Sequence, residues 1–96
     1  MNEVETLFLD KAIIRGGILL FSKQDALDFI EQCEKFKIGV LGIDGFFITE
    51  TMTQPRMEDS IDYSSGPSNK NYYDYDRALK FVSERDDNLF FEIVCE

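Results

Sequence analysis

Histidine is absent from this 96-residue chain, and so are the short motifs that usually mark an enzyme or a cofactor site. Histidine is the commonest acid–base group near neutral pH and the commonest imidazole ligand of metals. No Walker loop, G-x-G-x-x-G, C-x-x-C or H-E-x-x-H motif occurs, and the spacing of the acids fits no calcium-binding loop. Only carboxylate chemistry remains, so the sequence predicts a protein that is not an enzyme and that holds no cofactor or metal.

Positive charge is scarce, because 10 lysines and arginines stand against 19 aspartates and glutamates, for a formal net charge of −9. Residues 1–39 hold seven acids and five bases, a net of −2, whereas residues 40–96 hold twelve acids and five bases, a net of −7. Such a surface repels nucleic-acid phosphates, so we expect no direct binding of nucleic acid. The excess acid serves either solubility or the attraction of a basic partner protein.

Long apolar runs are missing as well. No stretch approaches the roughly 18–20 residues of a membrane helix, and the acidic segment MNEVETLFLD is unlike a signal peptide. The two cysteines, Cys33 and Cys95, occupy apolar positions of a predicted helix and a predicted strand. They predict buried thiols in a reducing, cytoplasmic compartment, with a disulfide as the alternative.

Helix signals occur at three places. Residues 3–15 are predicted to form a first helix with acids in its first turn and Gly16-Gly17 as its stop, followed by a brief extended stretch, GILLF. The segment SKQDALDFIEQCEKF is the clearest helix, with Ser22 as its N-cap and Asp25 completing a capping-box pattern. The last helix is predicted over YDRALKFVSERDD, with Asp74 as its N-cap.

Strand signals lie in IGVLGIDGFFIT and in LFFEIVC. In the first, Asp44-Gly45 is either the turn of a hairpin or part of one long strand whose glycines permit a bulge or a close backbone approach. The long strand is favoured. The second is an apolar run that only Glu92 interrupts, and it predicts a central strand.

The acidic region between the long strand and the last helix predicts a further strand. Met57, Ile61 and Tyr63 alternate with acids, which is typical of an antiparallel edge strand that displays the acids outward. SSGPSNKN then predicts a flexible turn. Together the elements predict one domain over residues 1–96 with an α+β fold, a mostly antiparallel sheet of three or four strands with helices packed on one face.

Acidic residues form two candidate sites. Asp44 and Glu92 interrupt apolar strands and could form a carboxylate pair for acid–base work. We favour the alternative that each lies on the solvent face or at an edge of the sheet, because burying an unpaired carboxylate is costly. The second candidate is a cluster of acids interleaved with tyrosines: Glu58, Asp59, Asp62, Asp74 and Asp76 with Tyr63, Tyr72, Tyr73 and Tyr75.

This cluster predicts a protein-binding surface. Tyrosine supplies rigid contact area and is enriched at interfaces, and carboxylates form charge-assisted hydrogen bonds with arginine and lysine. The alternative is a solvated loop whose tyrosines partly cover the core.

The stretch GVLGIDGFFITETMTQPRMEDSIDYSS, preceded by an amphipathic helix and followed by YYDYDRALKFVSERDDNLFFEIVCE, resembles small bacterial immunity proteins. These are the cytosolic antidotes of colicins and of contact-dependent inhibition toxins, and the nearest likeness is to those of tRNA-cleaving colicins. The resemblance covers about two thirds of the chain. It lies in the strand ending LGIDG, in an R…ID segment formed by Arg56, Ile61 and Asp62, and in the helix from Tyr75 and strand from Leu89 that follow.

The resemblance implies an antidote that neutralises a basic nuclease toxin, an RNase or tRNase, by direct binding, with Asp44 and Asp62 in the interface. Added to the acidic cluster, it predicts a partner-binding face from Glu50 to Asp76. Its candidate residues are Asp44, Glu50, Glu58, Asp59, Asp62, Tyr63, Tyr72, Tyr73, Asp74 and Asp76. Two other functions stay open: an acidic interaction or adaptor module without a toxin partner, and a small carboxylate-dependent enzyme that uses Asp44 and Glu92.

Overall fold

Five antiparallel strands and three α-helices form the fold in a computed structural model that describes residues 1–63 and 69–96. The predicted α+β class is confirmed, with more strands than the three or four expected. In chain order the elements are α1 (Glu3–Phe8), a 3₁₀-helix (Leu9–Lys11), β1 (Ile13–Arg15), β2 (Ile18–Ser22), α2 (Lys23–Phe36), β3 (Val40–Ile48), β4 (Thr53–Asp62), a second 3₁₀-helix (Asn69–Tyr73), α3 (Tyr75–Ser83) and β5 (Phe90–Cys95). The strand order is β1-β2-β5-β3-β4.

The additional strand comes from the segment that was predicted to be one helix over residues 3–15. Helical structure ends at Lys11, and β1 pairs with β2 in a hairpin. The backbone φ angles of Gly16 and Gly17 are 58° and 82°. Positive values at both central residues mark a type I′ turn, the connection whose twist suits a two-residue hairpin. The two glycines therefore reverse a β-ribbon instead of ending a helix.

The other two helices begin where their caps predict. Ser22 Oγ accepts a hydrogen bond from the Asp25 N–H at 3.3 Å at the start of α2, and Asp74 Oδ1 accepts one from the Arg77 N–H at 3.1 Å at the start of α3. Each such cap contributes about 1 kcal/mol. The predicted extension of the last helix through Asp87 is wrong, because α3 ends at Ser83.

The stretch from Val40 to Ile48 is one long strand, β3, as favoured from the sequence. Its register with β4 shifts between Asp44 and Gly45, so that Asp44 faces Ser60 while Gly45 faces Arg56. Gly45 has no room for a side chain, since a Cβ there would lie 2.7 Å from the carbonyl oxygen of Asp59. The glycine thus permits the close approach of the bulged partner strand.

The same bulge corrects part of the predicted alternation in β4. Met57 was expected on the same side as Ile61 and Tyr63, but it is 84 % exposed while Tyr63 is buried. Residues 57–59 have no partner in the pairing with β3, so a strict period of two does not continue through them. β4 is nevertheless an antiparallel edge strand, as predicted.

The core lies between the sheet and its helices. Phe21 of β2 and Phe91 of β5 pack in one cluster with Val4, Phe29 and Val82, which α1, α2 and α3 contribute. Each of these five side chains is at most 1 % exposed. β5 is the central strand, as its apolar run predicts, and it pairs with β2 on one side and β3 on the other.

The sheet is strongly curved, so that the Arg15 side chain of the edge strand β1 reaches the other edge strand, β4. A flat sheet would place β1 and β4, four positions apart, at about 19 Å. Arg15 of β1 nevertheless donates hydrogen bonds to Thr53 Oγ1 at 3.2 Å and to the Thr49 carbonyl at 2.9 Å. The face opposite the helices, called the open face below, is therefore concave. Leu20 and Phe46 are buried although they lie outside the main core cluster.

Two further expectations concern the turn and the membrane. The turn predicted over residues 64–71 lies partly outside the described residues, and its final part belongs to the second 3₁₀-helix. Among the helices that the structure describes, none has the length and apolar character that crossing a bilayer requires.

Candidate protein-binding site

Asp44 and Glu92 lie directly opposite each other on β3 and β5. Phe91 and Ile93, the neighbours of Glu92, point into the core, so the alternation of β5 places Glu92 on the open face. Both carboxylates are half-buried. Partial burial raises the pKa of Glu92, and the charge of Asp44 and a hydrogen bond between the two carboxyl groups raise that pKa further. The carboxylate pair considered from the sequence therefore exists, on the face away from the helices.

A groove next to this pair brings together the two residues that the resemblance implied. Gly42 faces Asp62 across β3 and β4, and it faces Val94 across β3 and β5. The resulting groove has a volume of about 270 Å³. Its lining, called the acidic groove below, consists of Leu41, Gly42, Asp44, Ile61, Asp62 and Val94. A carboxylate such as Asp44 next to the aliphatic side chain of Val94 can accept hydrogen bonds from a basic side chain while its stem packs on the apolar surface.

Asp44 and Glu92 take part in none of the ion pairs that the described residues form. Within residues 1–63 and 69–96, these ion pairs are Lys23–Asp87, Arg56–Glu58 and Arg85–Asp59. The part of the chain that the structure describes also holds no group of three side chains suited to a metal ion. The arrangement is suited to receiving an external cation, such as a guanidinium or ammonium group.

Glu58 and Asp59 differ from Asp44, because arginines already accompany them. Arg56 Nε donates a hydrogen bond to Glu58 Oε1 at 2.8 Å, and the Glu58 carboxyl has a pKa below its ordinary value because of its own backbone N–H and Arg56. Arg85 lies 3.8 Å from Asp59 Oδ1. These two predicted interface residues therefore carry less net charge into a contact than the sequence suggested.

Three other predicted acids lie at exposed positions outside the acidic groove. Glu50 is exposed in the connection between β3 and β4, and Asp76 is exposed in the first turn of α3. Asp74 is exposed and caps that helix. A partner could contact all three, but Asp74 has a structural role that is sufficient to explain its presence.

The tyrosines form less of a surface than predicted. Tyr63 is only 4 % exposed and packs in the core, with the Arg77 guanidinium 5.2 Å from its ring centre. Tyr72 is half-buried against the same core. The burial of Tyr63 leaves almost none of its side chain for a partner, whereas the half-buried Tyr72 stays a predicted interface residue. Tyr73 is 45 % exposed, and its hydroxyl donates to Glu96 Oε1 at 2.9 Å.

Sequence reasoning missed the apolar part of the acidic groove and a neighbouring acid. Leu41, Ile61 and Val94 line it, and Glu96 binds the Gly39 N–H at the same end of the sheet. The position of Val94 on the same face as Glu92 could have been predicted, because the two residues are two apart in one strand. The contact of β3 with both β4 and β5 could not have been predicted, since it depends on the strand order.

No protein-family model matches this chain, and neither the curated proteins nor the solved structures contain a significant match to it.

Proposed function

We propose that this chain is a cytosolic immunity protein that neutralises a cognate bacterial nuclease toxin by direct binding through the acidic groove. The observation that carries the proposal is the carboxylate pair, Asp44 and Glu92, which belongs to no ion pair within residues 1–63 and 69–96 and lies beside the acidic groove. Two like charges held side by side are unfavourable in the free protein. A cation from a partner would relieve that repulsion, so the arrangement favours the binding of a basic group.

The shape of the acidic groove supports a basic side chain as the ligand. Arginine and lysine bury an aliphatic stem while they present a charged head. Leu41 and Val94 offer apolar side chains beside the groove, and Asp44 offers a charge-assisted acceptor. Arginine suits two carboxylates best, because its planar fork donates several hydrogen bonds at once.

A nuclease is the partner that this electrostatic pattern fits. An RNase domain needs clustered lysines and arginines to hold RNA phosphates. An acidic protein can occupy that basic surface with carboxylates in place of phosphates, and its net charge of −9 would accelerate the encounter. Substrate is then excluded sterically and electrostatically, without any chemistry performed by this chain.

The resemblance noted from the sequence supports the same choice of residues. It implied Asp44 from LGIDG and Asp62 from the R…ID segment, and both residues line the acidic groove. Tyr73 and Glu96, at the end of the sheet where β5 finishes, extend the candidate contact.

The test is calorimetric titration of the purified chain against the nuclease domain encoded beside its gene. Asp62→Lys should weaken binding at least about tenfold, which corresponds to about 1.4 kcal/mol. Asp44→Asn should also weaken the binding of the nuclease domain. Glu31→Lys is the matched control, because this exposed residue lies on α2 in the helix layer. It should leave the affinity within about twofold.

Other variants separate this proposal from its rivals. Glu58→Lys should have a smaller effect than Asp44→Lys, because Arg56 already neutralises Glu58, whereas no ion pair within the described residues includes Asp44. Affinity unchanged by Asp62→Lys and Asp44→Asn would reject the acidic groove as the contact. Tight binding to a basic protein that is not a nuclease, with no affinity for the neighbouring nuclease, would instead support an acidic adaptor.

A further inference from the structure

The β1–β2 hairpin is joined to the rest of the sheet by backbone pairing at one end only. Two pairs, Phe21 with Phe91 and Ser22 with Phe90, link β2 to the central strand β5. Within the part of the chain that the structure describes, the rest of β2 pairs with β1 alone. A cavity of about 80 Å³ lies where the two strands part, and both the hairpin and β5 line it. Residues 13–20, called the flap below, therefore project from the sheet beyond these two pairs.

One side chain holds the free end of the flap to the opposite edge of the sheet. Arg15 Nη1 donates a hydrogen bond to Thr53 Oγ1 at 3.2 Å, and Arg15 Nη2 donates one to the Thr49 carbonyl at 2.9 Å. None of the ion pairs within residues 1–63 and 69–96 includes Arg15. Neutral oxygens hold a guanidinium less strongly than a carboxylate does. This contact, called the strap below, is therefore more easily released than an ion pair.

The closed flap buries apolar side chains on the open face. Leu20 alternates with the core residue Phe21, so it points to the open face, and it is 0 % exposed. Phe46 faces Phe90, which alternates with the core residue Phe91, so Phe46 also lies on the open face, and it is 7 % exposed. The helices α1, α2 and α3 pack against the other face. The curvature that the strap maintains therefore accounts for the burial of Leu20 and Phe46.

We propose that the flap swings about the paired residues Phe21 and Ser22 and that Arg15 is the strap that holds it shut over the open face. Leu19 of the flap packs against the main core, so the closed state predominates in the free protein. Release of the strap lets the flap open while the rest of the sheet stays folded. This device belongs to the free protein and does not depend on the proposed function.

Opening would change the open face next to the acidic groove. Leu20 precedes Phe21 and Glu92 follows Phe91 in two antiparallel strands, so the flap passes beside Glu92. Swinging the flap away would expose Leu20 to water and would uncover one side of Glu92. The surface that adjoins the acidic groove would thereby become larger and more hydrated.

The experiment measures relaxation dispersion of methyl carbons in the folded full chain, which detects exchange on the μs–ms timescale. The probes are Ile18 and Leu20 in the flap, with the buried core residues Ile30 and Val82 as internal references. Arg15→Gln should raise the open population at least about tenfold, which is the effect of losing one hydrogen bond to a charged group. The increase should be confined to the flap methyls, while the amide protons bonded within the hairpin stay protected from solvent exchange.

Three further variants make the assignment specific. Thr53→Val keeps the shape of the side chain and the bond from Arg15 to the Thr49 carbonyl, so it should raise the open population less than Arg15→Gln does. In the Arg15→Gln background, Thr53→Val should add nothing, because the bond is already absent. Lys35→Gln, an exposed position on α2, is the control for a lost positive charge and should leave the population within about twofold.

Three results would overturn the proposal. The first is flap exchange that is the same in wild type, Arg15→Gln and Thr53→Val. The second is an equal rise at Ile30 and Val82, since that means general loosening of the fold. The third is loss of amide protection within the hairpin, which means that the hairpin unfolds instead of swinging. Because Thr53→Val removes only one of the two bonds, it keeps the test decisive even if Arg15→Gln does not fold.

Discussion

Removing one carboxylate of the Asp44–Glu92 pair is expected to stabilise the free protein, although the same change weakens partner binding if the proposed function holds. The two side chains face each other across β3 and β5, and no ion pair within the described part of the chain compensates either of them. Like charges directly opposite each other in a sheet destabilise it by about 0.2–1 kcal/mol. Both groups are partly solvated, so screening keeps the effect within that range.

Asp44→Asn and Glu92→Gln should each raise the free energy of unfolding at pH 7 by about 0.5–1 kcal/mol. In a domain of this size, that gain corresponds to an increase in Tm of about 2–8 °C. Either change ends the same repulsion, so the double variant should gain little more than a single one. Urea denaturation and calorimetry measure the effect, with Glu31→Gln on α2 as the control for lost charge, expected within about 0.5 kcal/mol of wild type.

The pH dependence has a definite sign. The folded-state pKa of Glu92 is raised above the 4.5 of an ordinary glutamate, so the folded chain holds this proton to a higher pH than the unfolded chain. The stability that the protonated Glu92 side chain contributes to the fold is fully present below pH 4.5 and is lost as the pH rises through the folded-state pKa of Glu92. The advantage of Glu92→Gln over wild type should therefore shrink as the pH falls from 7 towards 4.

Destabilisation by both single variants at pH 7 would refute this reasoning, because a favourable hydrogen bond rather than repulsion would then dominate the pair. Fully additive gains in the double variant would refute the coupling between Asp44 and Glu92.

Three further predictions follow from backbone and hydrogen-bond geometry. Gly16→Asn should stabilise the hairpin by about 0.4–1 kcal/mol, because asparagine tolerates the φ of 58° at this position and restricts the unfolded chain. Gly16→Val should destabilise the hairpin, because a β-branched residue does not tolerate that angle. Urea denaturation measures both changes. Gly45→Ala should lose about 1–3 kcal/mol by the same assay, because its Cβ would lie 2.7 Å from the Asp59 carbonyl oxygen, and unchanged stability would contradict this contact. Tyr75→Phe should lose about 0.5–1.5 kcal/mol with the hydrogen bond that the hydroxyl donates to the Ile38 carbonyl at 2.9 Å. Burial raises the pKa of Tyr75 from 10.0 to about 12. The stability that the protonated hydroxyl contributes is therefore present below pH 10 and is lost as the pH rises through 12. Alkaline unfolding curves should show that Tyr75→Phe loses less stability than wild type over that interval.

Local chemistry accounts for the parts of the fold that could be predicted. Ser22 and Asp74 cap the helices that follow them, and the apolar run around Glu92 gives the central strand. The N-terminal hairpin was missed because Gly16-Gly17 serves equally well as a helix stop and as a type I′ turn. Local pattern alone does not distinguish those two uses.

The candidate site was less accessible, because it depends on which strands become neighbours. Asp44 and Glu92 are far apart in sequence, and they meet only since β5 lies beside β3. The bulge in β4 sets which side chains of that strand face inward, and it buries Tyr63 while it exposes Met57. Composition located most of the net negative charge in residues 40–96, whereas the register of the strands decided which acids share a surface.

The position of β5 has a consequence for how the chain matures on the ribosome. β2 and β3 do not pair with each other, and each is joined to the sheet only through β5. Until β5 has been synthesised, the nascent polypeptide holds two separate β-ribbons whose inner edges are unpaired, which is the state most open to strand exchange and to capture by chaperones. The sheet therefore becomes continuous only when β5 inserts between β2 and β3.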